Sequence, residues 1–159
     1  MSKRDTWETP AYIFDPINER AKFTLDACAI ESTAKCRKFF TPEQNGLEQS
    51  WADERVWCNP PYSNIGPWLQ KAHEETQKSA STVVVALVPP WTDTKWWHDY
   101  ATRAQICVLL KGRVQFLMDG KPHSGNQHPS CLLVYYRQPV ILGQHKTTFG
   151  YWEPQRSKP

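Results

Sequence analysis

Apolar and polar positions along this chain follow two different periods, and each change of period marks an element. Residues 82–88 (Thr-Val-Val-Val-Ala-Leu-Val) are almost wholly β-branched and have helical patterns on both sides. They predict a strand buried on both faces of a parallel sheet. The triplet Val56-Trp57-Cys58 predicts the end of another buried strand. Residues 23–29 alternate and predict a short strand that ends at Asp26. Helical spacing appears at Ile13, Phe14 and Ile17, behind Thr9 as the expected N-cap and Pro10 as the first helical residue. Pro16 is expected to bend or shorten that helix. Trp68, Leu69 and Ala72, opposed by Glu74, Glu75 and Lys78, predict a second helix, and residues 94–102 a third.

The last third changes character. Residues 105–110 and 113–117 read as strands joined tightly by Lys111-Gly112, residues 118–130 as a loop, and residues 130–136 as a further strand. Strands without intervening helices imply antiparallel pairing at one edge of the sheet. The stretch from Ile30 to Arg55 holds only 26 residues, whereas one βαβ unit takes about 30. That stretch therefore holds an abbreviated unit: a helix starting near Glu31, a strand at 37–41 and a turn cluster at 42–46. The expectation is one α/β domain over residues 1–159, mostly parallel, with an antiparallel edge and a frayed tail at 153–159.

Composition narrows the class without naming it. With 40% hydrophobic and 22% charged residues the chain is globular, and no apolar run is long enough to span a membrane. No apolar stretch follows the basic pair at the start, so a cytoplasmic location is expected. Five scattered cysteines lack any C-x-x-C and read as buried thiols. His123 and His128 lie near Cys131 but lack the tight paired spacing of a zinc site, so no metal is expected. Charge is uneven: residues 1–102 carry eleven Lys/Arg against fourteen Asp/Glu, and residues 103–159 eight against two. A basic last third suggests a face for a polyanion.

The candidate chemistry sits where the strand at 56–58 runs into Asn59-Pro60-Pro61-Tyr62. Two prolines fix φ and remove two N–H donors, so this backbone can only accept hydrogen bonds. Asn59 adds an acceptor and Tyr62 a flat ring, which suits a planar group bearing an amine, such as a nucleobase. A rigid strand-to-helix corner explains the same four residues. Asp26, at the carboxyl end of its strand, either accepts from a ligand amine or hydroxyl or caps the following helix. The small residues Ala27 and Cys28 permit close approach. Trp7 is either a hydrophobic staple on the first helix or a wall of a ligand site. Pro89-Pro90-Trp91 delivers a second proline pair and an aromatic to the same edge.

Taken in order, these segments resemble a known family. Thr9-Pro10, Leu25-Asp26-Ala27-Cys28-Ala29 and Asn59-Pro60-Pro61-Tyr62 look like a DNA adenine-N6 methyltransferase of the small phage and prophage Dam-type group. Gly46-Leu47, Ser50-Trp51, Trp57-Cys58, residues 111–116 and Pro129-Ser130 fit the same group, so the resemblance spans residues 7–136. It implies a Rossmann-like fold, S-adenosyl-L-methionine as methyl donor and an adenine flipped out of double-stranded DNA as acceptor. It also implies a phage- or prophage-encoded enzyme in a bacterial host. By this resemblance the Asn59 side-chain oxygen and the Pro60 carbonyl each accept one amine hydrogen, and Pro61 and Tyr62 complete the catalytic turn. Asp26 sits near the methionine part of the cofactor, and Trp7, Thr9, Pro10, Ala27, Cys28 and Asn45 line its site. Asn45 and Glu43 are candidates for the ribose, because no Gly-x-Gly follows Asp26. DNA contacts fall to residues 111–130, with Lys111, Arg113, Lys121 and Ser130 named; Arg113 serves equally as a structural strand arginine. The alternatives are a nucleic-acid-binding module without methyl transfer, or transfer to an amine of RNA or cytosine.

Overall fold

The computed structural model describes residues 7–123, 128–138 and 147–155. Seven strands form one sheet in the order β2-β1-β3-β4-β8-β5-β9. These are β1 (Leu25–Asp26), β2 (Lys38–Phe39), β3 (Arg55–Cys58), β4 (Val83–Val88), β5 (Ile106–Leu110), β8 (Cys131–Tyr136) and β9 (Thr148–Trp152). The hairpin strands β6 (Leu117–Met118) and β7 (Lys121–Pro122) pair with each other outside that sheet. Three helices are described: α1 (Ala11–Ala21), α2 (Ile65–Lys78) and α3 (Lys95–Asp99).

The apolar run at 82–88 does what its pattern requires. Val84, Ala86 and Val88 of β4 pack into a cluster with Leu69 and Ala72 of α2 and Trp97 of α3. Val85 and Leu87 face the opposite way, into a cluster with Ile13 and Phe14 of α1. Both faces of the central strand are thus covered, which is why it lacks the polar–apolar alternation of a half-exposed strand. Each such side chain contributes about 1.5–3 kcal/mol by leaving water.

The strand order reverses between β1 and β3. From β1 the chain passes outward to β2, then returns to place β3 on the other side, parallel to β1 with Asp26 opposite Trp57. Ligands of open α/β sheets collect at such a reversal. β8 is antiparallel to both β4 and β5, and β9 pairs parallel with β5 outside it. The sheet is therefore mostly parallel with its antiparallel pairing in one half, carried by a single strand. Because β8 runs backwards, its first residues lie at the same edge as the carboxyl ends of β1, β3, β4 and β5.

Several local expectations are corrected. Thr9 does not cap α1: the cap position is Pro10, whose carbonyl accepts from the Ile13 and Phe14 N–H groups, and Thr9 is buried. Pro16 does not shorten α1, which continues to Ala21. No helix begins near Glu31; a single turn forms there, with the Thr33 and Ala34 N–H groups on the Ile30 carbonyl. Residues 113–116 are not a strand, although Val114 and Phe116 alternate inward. Gly112 takes φ 85° and turns the chain away from the sheet, and only Leu117 makes a bridge, to Glu8. The supposed loop after it contains the β6–β7 hairpin, turned by Asp119 and Gly120 at φ 51° and 71°. Asp-Gly is a strong signal for a tight hairpin turn, because both central residues need positive φ. Strand β9 overlaps no expected element. Of the tail expected to fray, residues 156–159 lie outside the described residues, as do 124–127 of the loop.

Candidate active site at the carboxyl edge of the sheet

A cavity of about 330 Å³ opens at the strand-order reversal. Trp7, Cys28, Asn45, Asn59 and Pro61 line it, as the sequence suggested. Ala29, Ile30, Thr33, Phe40, Thr41, Pro42, Gly46 and Trp68 line it as well. Phe40 and Thr41 directly follow β2, so the carboxyl-end rule would have identified them. No Asp, Glu, Lys or Arg is among these lining residues, and Glu43 lies outside. Asn45, at φ 51°, directs its amide to Glu48 (2.7 Å) and accepts the Leu47 N–H (3.3 Å).

Gly46 forms the cavity's tightest packing point. A Cβ there would sit 2.1 Å from the Ala27 carbonyl and 3.2 Å from the Trp68 ring. Trp51 secures this segment, its indole N–H donating to the Gly46 carbonyl at 3.0 Å and its backbone N–H to Glu75 at 2.9 Å. Ala27 itself, directly after β1, is buried and donates its N–H to the Trp57 carbonyl at 2.9 Å. Pro10 and Pro60 are buried, and neither is among the residues that line the cavity.

A polar recess adjoins the cavity and shares Trp7, Cys28, Ala29, Thr33 and Asn59 with it. Thr9, Asp26, Glu8 and Lys35 complete the recess. The Asp26 carboxylate accepts from the backbone N–H of Lys35 (3.0 Å) and of Cys28 (3.4 Å), so it ties down the loop after β1 instead of capping a helix. Burial pushes its pKa up to about 6, against the opposing pull of those two N–H groups and the Lys35 charge. Lys35 also pairs with Glu8 at 2.8 Å. Burial keeps the Cys28 thiol protonated, and its contact with Cys58, Sγ–Sγ 3.7 Å, acts the same way.

Asn59 is held in one orientation. Its Nδ2 donates to the Trp7 carbonyl at 3.0 Å, while its Oδ1 is buried without a hydrogen-bond partner among the described residues. Trp7 Nε1 is also buried without a partner among the described residues, whereas the Tyr62 hydroxyl lies against that of Ser130. Buried polar atoms are nearly always satisfied in folded proteins, so a pair of unsatisfied ones is unusual and marks a ligand site. Tyr62 stands edge-on to Trp7 (6.3 Å), Phe116 (6.1 Å) and Trp91 (6.3 Å). Burial raises the pKa of its hydroxyl, so it keeps its proton.

The residues named for DNA separate. Arg113 and Lys121 are exposed; Lys111 is exposed and pairs with Glu153 at 3.0 Å. Ser130 is 2% exposed, beside Tyr62, and offers nothing to a duplex surface.

The family model for DNA N-6-adenine-methyltransferase (Dam) matches residues 1–149. The chain belongs to the Dam family. A DNA N-6-adenine-methyltransferase of Haemophilus phage HP1 is 33% identical over 139 residues, covering 84% of this chain and 80% of the relative. That of Escherichia phage T1 is 29% identical over 123 residues, 76% of this chain but 51% of the relative. No helix among the described residues is long and apolar enough to cross a membrane, and no group of three metal-ligating side chains occurs among them.

Proposed function

We propose that this protein transfers a methyl group from S-adenosyl-L-methionine to the N6 amine of an adenine flipped out of double-stranded DNA. The observation that carries the reading is the unpartnered Asn59 Oδ1, fixed in place by the bond from its own Nδ2 to Trp7. An orphaned acceptor next to a cavity calls for a donor, and adenine's exocyclic amine is one.

The residues present fit the methyl donor. Phe40, Ile30 and Trp68 offer apolar walls to an adenosine, and Thr33, Thr41 and Asn45 offer neutral polar groups. Asp26, in the adjoining recess, offers a carboxylate to the α-ammonium of the amino-acid end. When bound, the cofactor supplies an electrophilic methyl group on a sulfonium. Asn59 and the Pro60 carbonyl hold the two amine hydrogens and turn the nitrogen lone pair out of conjugation with the ring. They stabilise the amine more strongly as it becomes positive, which is preorganised electrostatics aimed at developing charge. Tyr62 supplies a ring for the base; such stacking is worth about 1–3 kcal/mol in single-strand binders. A cationic product amine is acidic enough to lose its proton without a dedicated base. Arg113 and Lys121 contact phosphates on the surrounding duplex.

Asn59→Ala tests the reading. With tritiated cofactor and DNA, the variant loses at least a hundredfold in methyl transfer while binding S-adenosylhomocysteine as the parent does. Undiminished transfer removes Asn59 from the site.

A further inference from the structure

Trp7 holds Asn59 through its carbonyl, but its side chain has an unexplained feature of its own. The indole Nε1 is buried and lacks a hydrogen-bond partner. A buried donor left unpaired is costly, so it is kept where something arrives to pair with it. The ring is well fixed, stacked on Phe116 at 5.5 Å, tilted against His123 at 5.5 Å and edge-on to Tyr62 at 6.3 Å. Those neighbours come from the turn after β3 and from the segment after β5, while Trp7 itself also lines the cavity with Ala29, Phe40 and Gly46.

Two residues that line the cavity therefore each carry an unpaired atom among the described residues, an acceptor at Asn59 Oδ1 and a donor at Trp7 Nε1. Adenine carries the matching pair, an amine flanked by ring nitrogens N1 and N7 that only accept. The same match lets an amide side chain read adenine in a groove. We propose that the Trp7 indole N–H donates to one of these ring nitrogens and so fixes the in-plane rotation of the target base while Asn59 takes its amine. This rests on the adenine-methylation reading above. It assigns Trp7 a substrate contact and explains why a tryptophan, not a phenylalanine, stacks on Phe116.

The test uses the full chain as parent, as Trp7→Phe, and with the benzothiophene isostere of tryptophan at position 7, which keeps the ring and loses the N–H. Substrates are DNA copies in which every adenine is adenine, 1-deazaadenine or 7-deazaadenine, so that no target sequence need be known. The parent loses about tenfold in kcat/KM on one analogue. Both variants lose about tenfold on ordinary DNA and show no further loss on that analogue; the isostere, which keeps the ring that lines the cofactor cavity, binds S-adenosylhomocysteine as the parent does in calorimetry. Indifference of the parent to both analogues overturns the proposal. So does an equal analogue penalty in parent and variants, or a loss of S-adenosylhomocysteine affinity in the isostere that matches its loss of rate. If the parent fails to methylate ordinary DNA at all, the adenine-methylation reading falls first and takes this contact with it.

Discussion

Asp26 lends itself to a quantitative test, because burial and ligand binding act on it in opposite directions. Burial raises its pKa from 3.8 to about 6 despite two backbone N–H donors. In the folded protein without ligand, the protonated carboxyl therefore persists up to about pH 6, well above the range of a free aspartate. A group whose folded pKa is raised contributes stability that is fully present below its unfolded pKa. That contribution fades as pH rises through the folded value, here between pH 4 and pH 6, and at neutral pH an ionised Asp26 carries a penalty of about 3 kcal/mol. Asp26→Asn removes the charge and keeps the shape. The amide oxygen can accept from Lys35, and the bond given up is the weak one from Cys28 at 3.4 Å. The variant is expected to be more stable than the parent by about 3 kcal/mol at pH 7 and equal to it at pH 4. An arriving α-ammonium reverses the balance by pairing with the ionised form. The same variant should then bind S-adenosylhomocysteine at least tenfold more weakly at pH 7, as removal of a charge-assisted hydrogen bond requires. The parent's affinity should fall below pH 6, whereas the variant's should stay flat. Urea denaturation and calorimetry across pH 4–8 measure both effects. A variant less stable than the parent at pH 7, or a stability gap independent of pH, refutes burial as the dominant influence on Asp26. Unchanged ligand affinity refutes the pairing with the ammonium.

Two further outcomes follow from the geometry. Gly46→Ala places a Cβ 2.1 Å from a backbone carbonyl, so it should cost about 3 kcal/mol or more and abolish cofactor binding, as thermal melting and calorimetry would show; a melting point within a few degrees of the parent contradicts the close approach. Charge reversal at Arg113 and Lys121 together should weaken DNA binding and flatten the dependence of log affinity on log salt by about one for each phosphate no longer neutralised, measured by fluorescence anisotropy; an unchanged slope places the duplex elsewhere.

Much of the site was legible because strand ends are legible. Asp26 and Asn59 each close an apolar run, and parallel strands must deliver such residues to a common edge, where the pairing of Asp26 with Trp57 puts them. The hairpin at 117–122 could have been read from Asp119-Gly120, since positive φ at two consecutive residues is a local requirement. Strand β9 was harder: Thr148-Phe-Gly-Tyr-Trp152 shows no clean alternation, and Phe149 and Tyr151 remain 62% and 84% exposed. Its pairing depends on β5 having an open edge, which no local pattern reveals. Thr9 misled because a Thr-Pro pair fits a capped helix start, yet here the threonine is packed inside.

The sequence by itself determined the buried central strand, the donor-free backbone at Pro60-Pro61 and the acid at the end of β1, since each follows from side-chain period or from proline's missing donor. Tertiary structure alone decided which polar atoms stay unpaired. Asn59 Oδ1 and Trp7 Nε1 are orphans because of what packs around them, with one bond linking residues 52 positions apart in the chain. The state of Asp26 is likewise a consequence of burial, and burial belongs to the assembled sheet and not to any stretch of it.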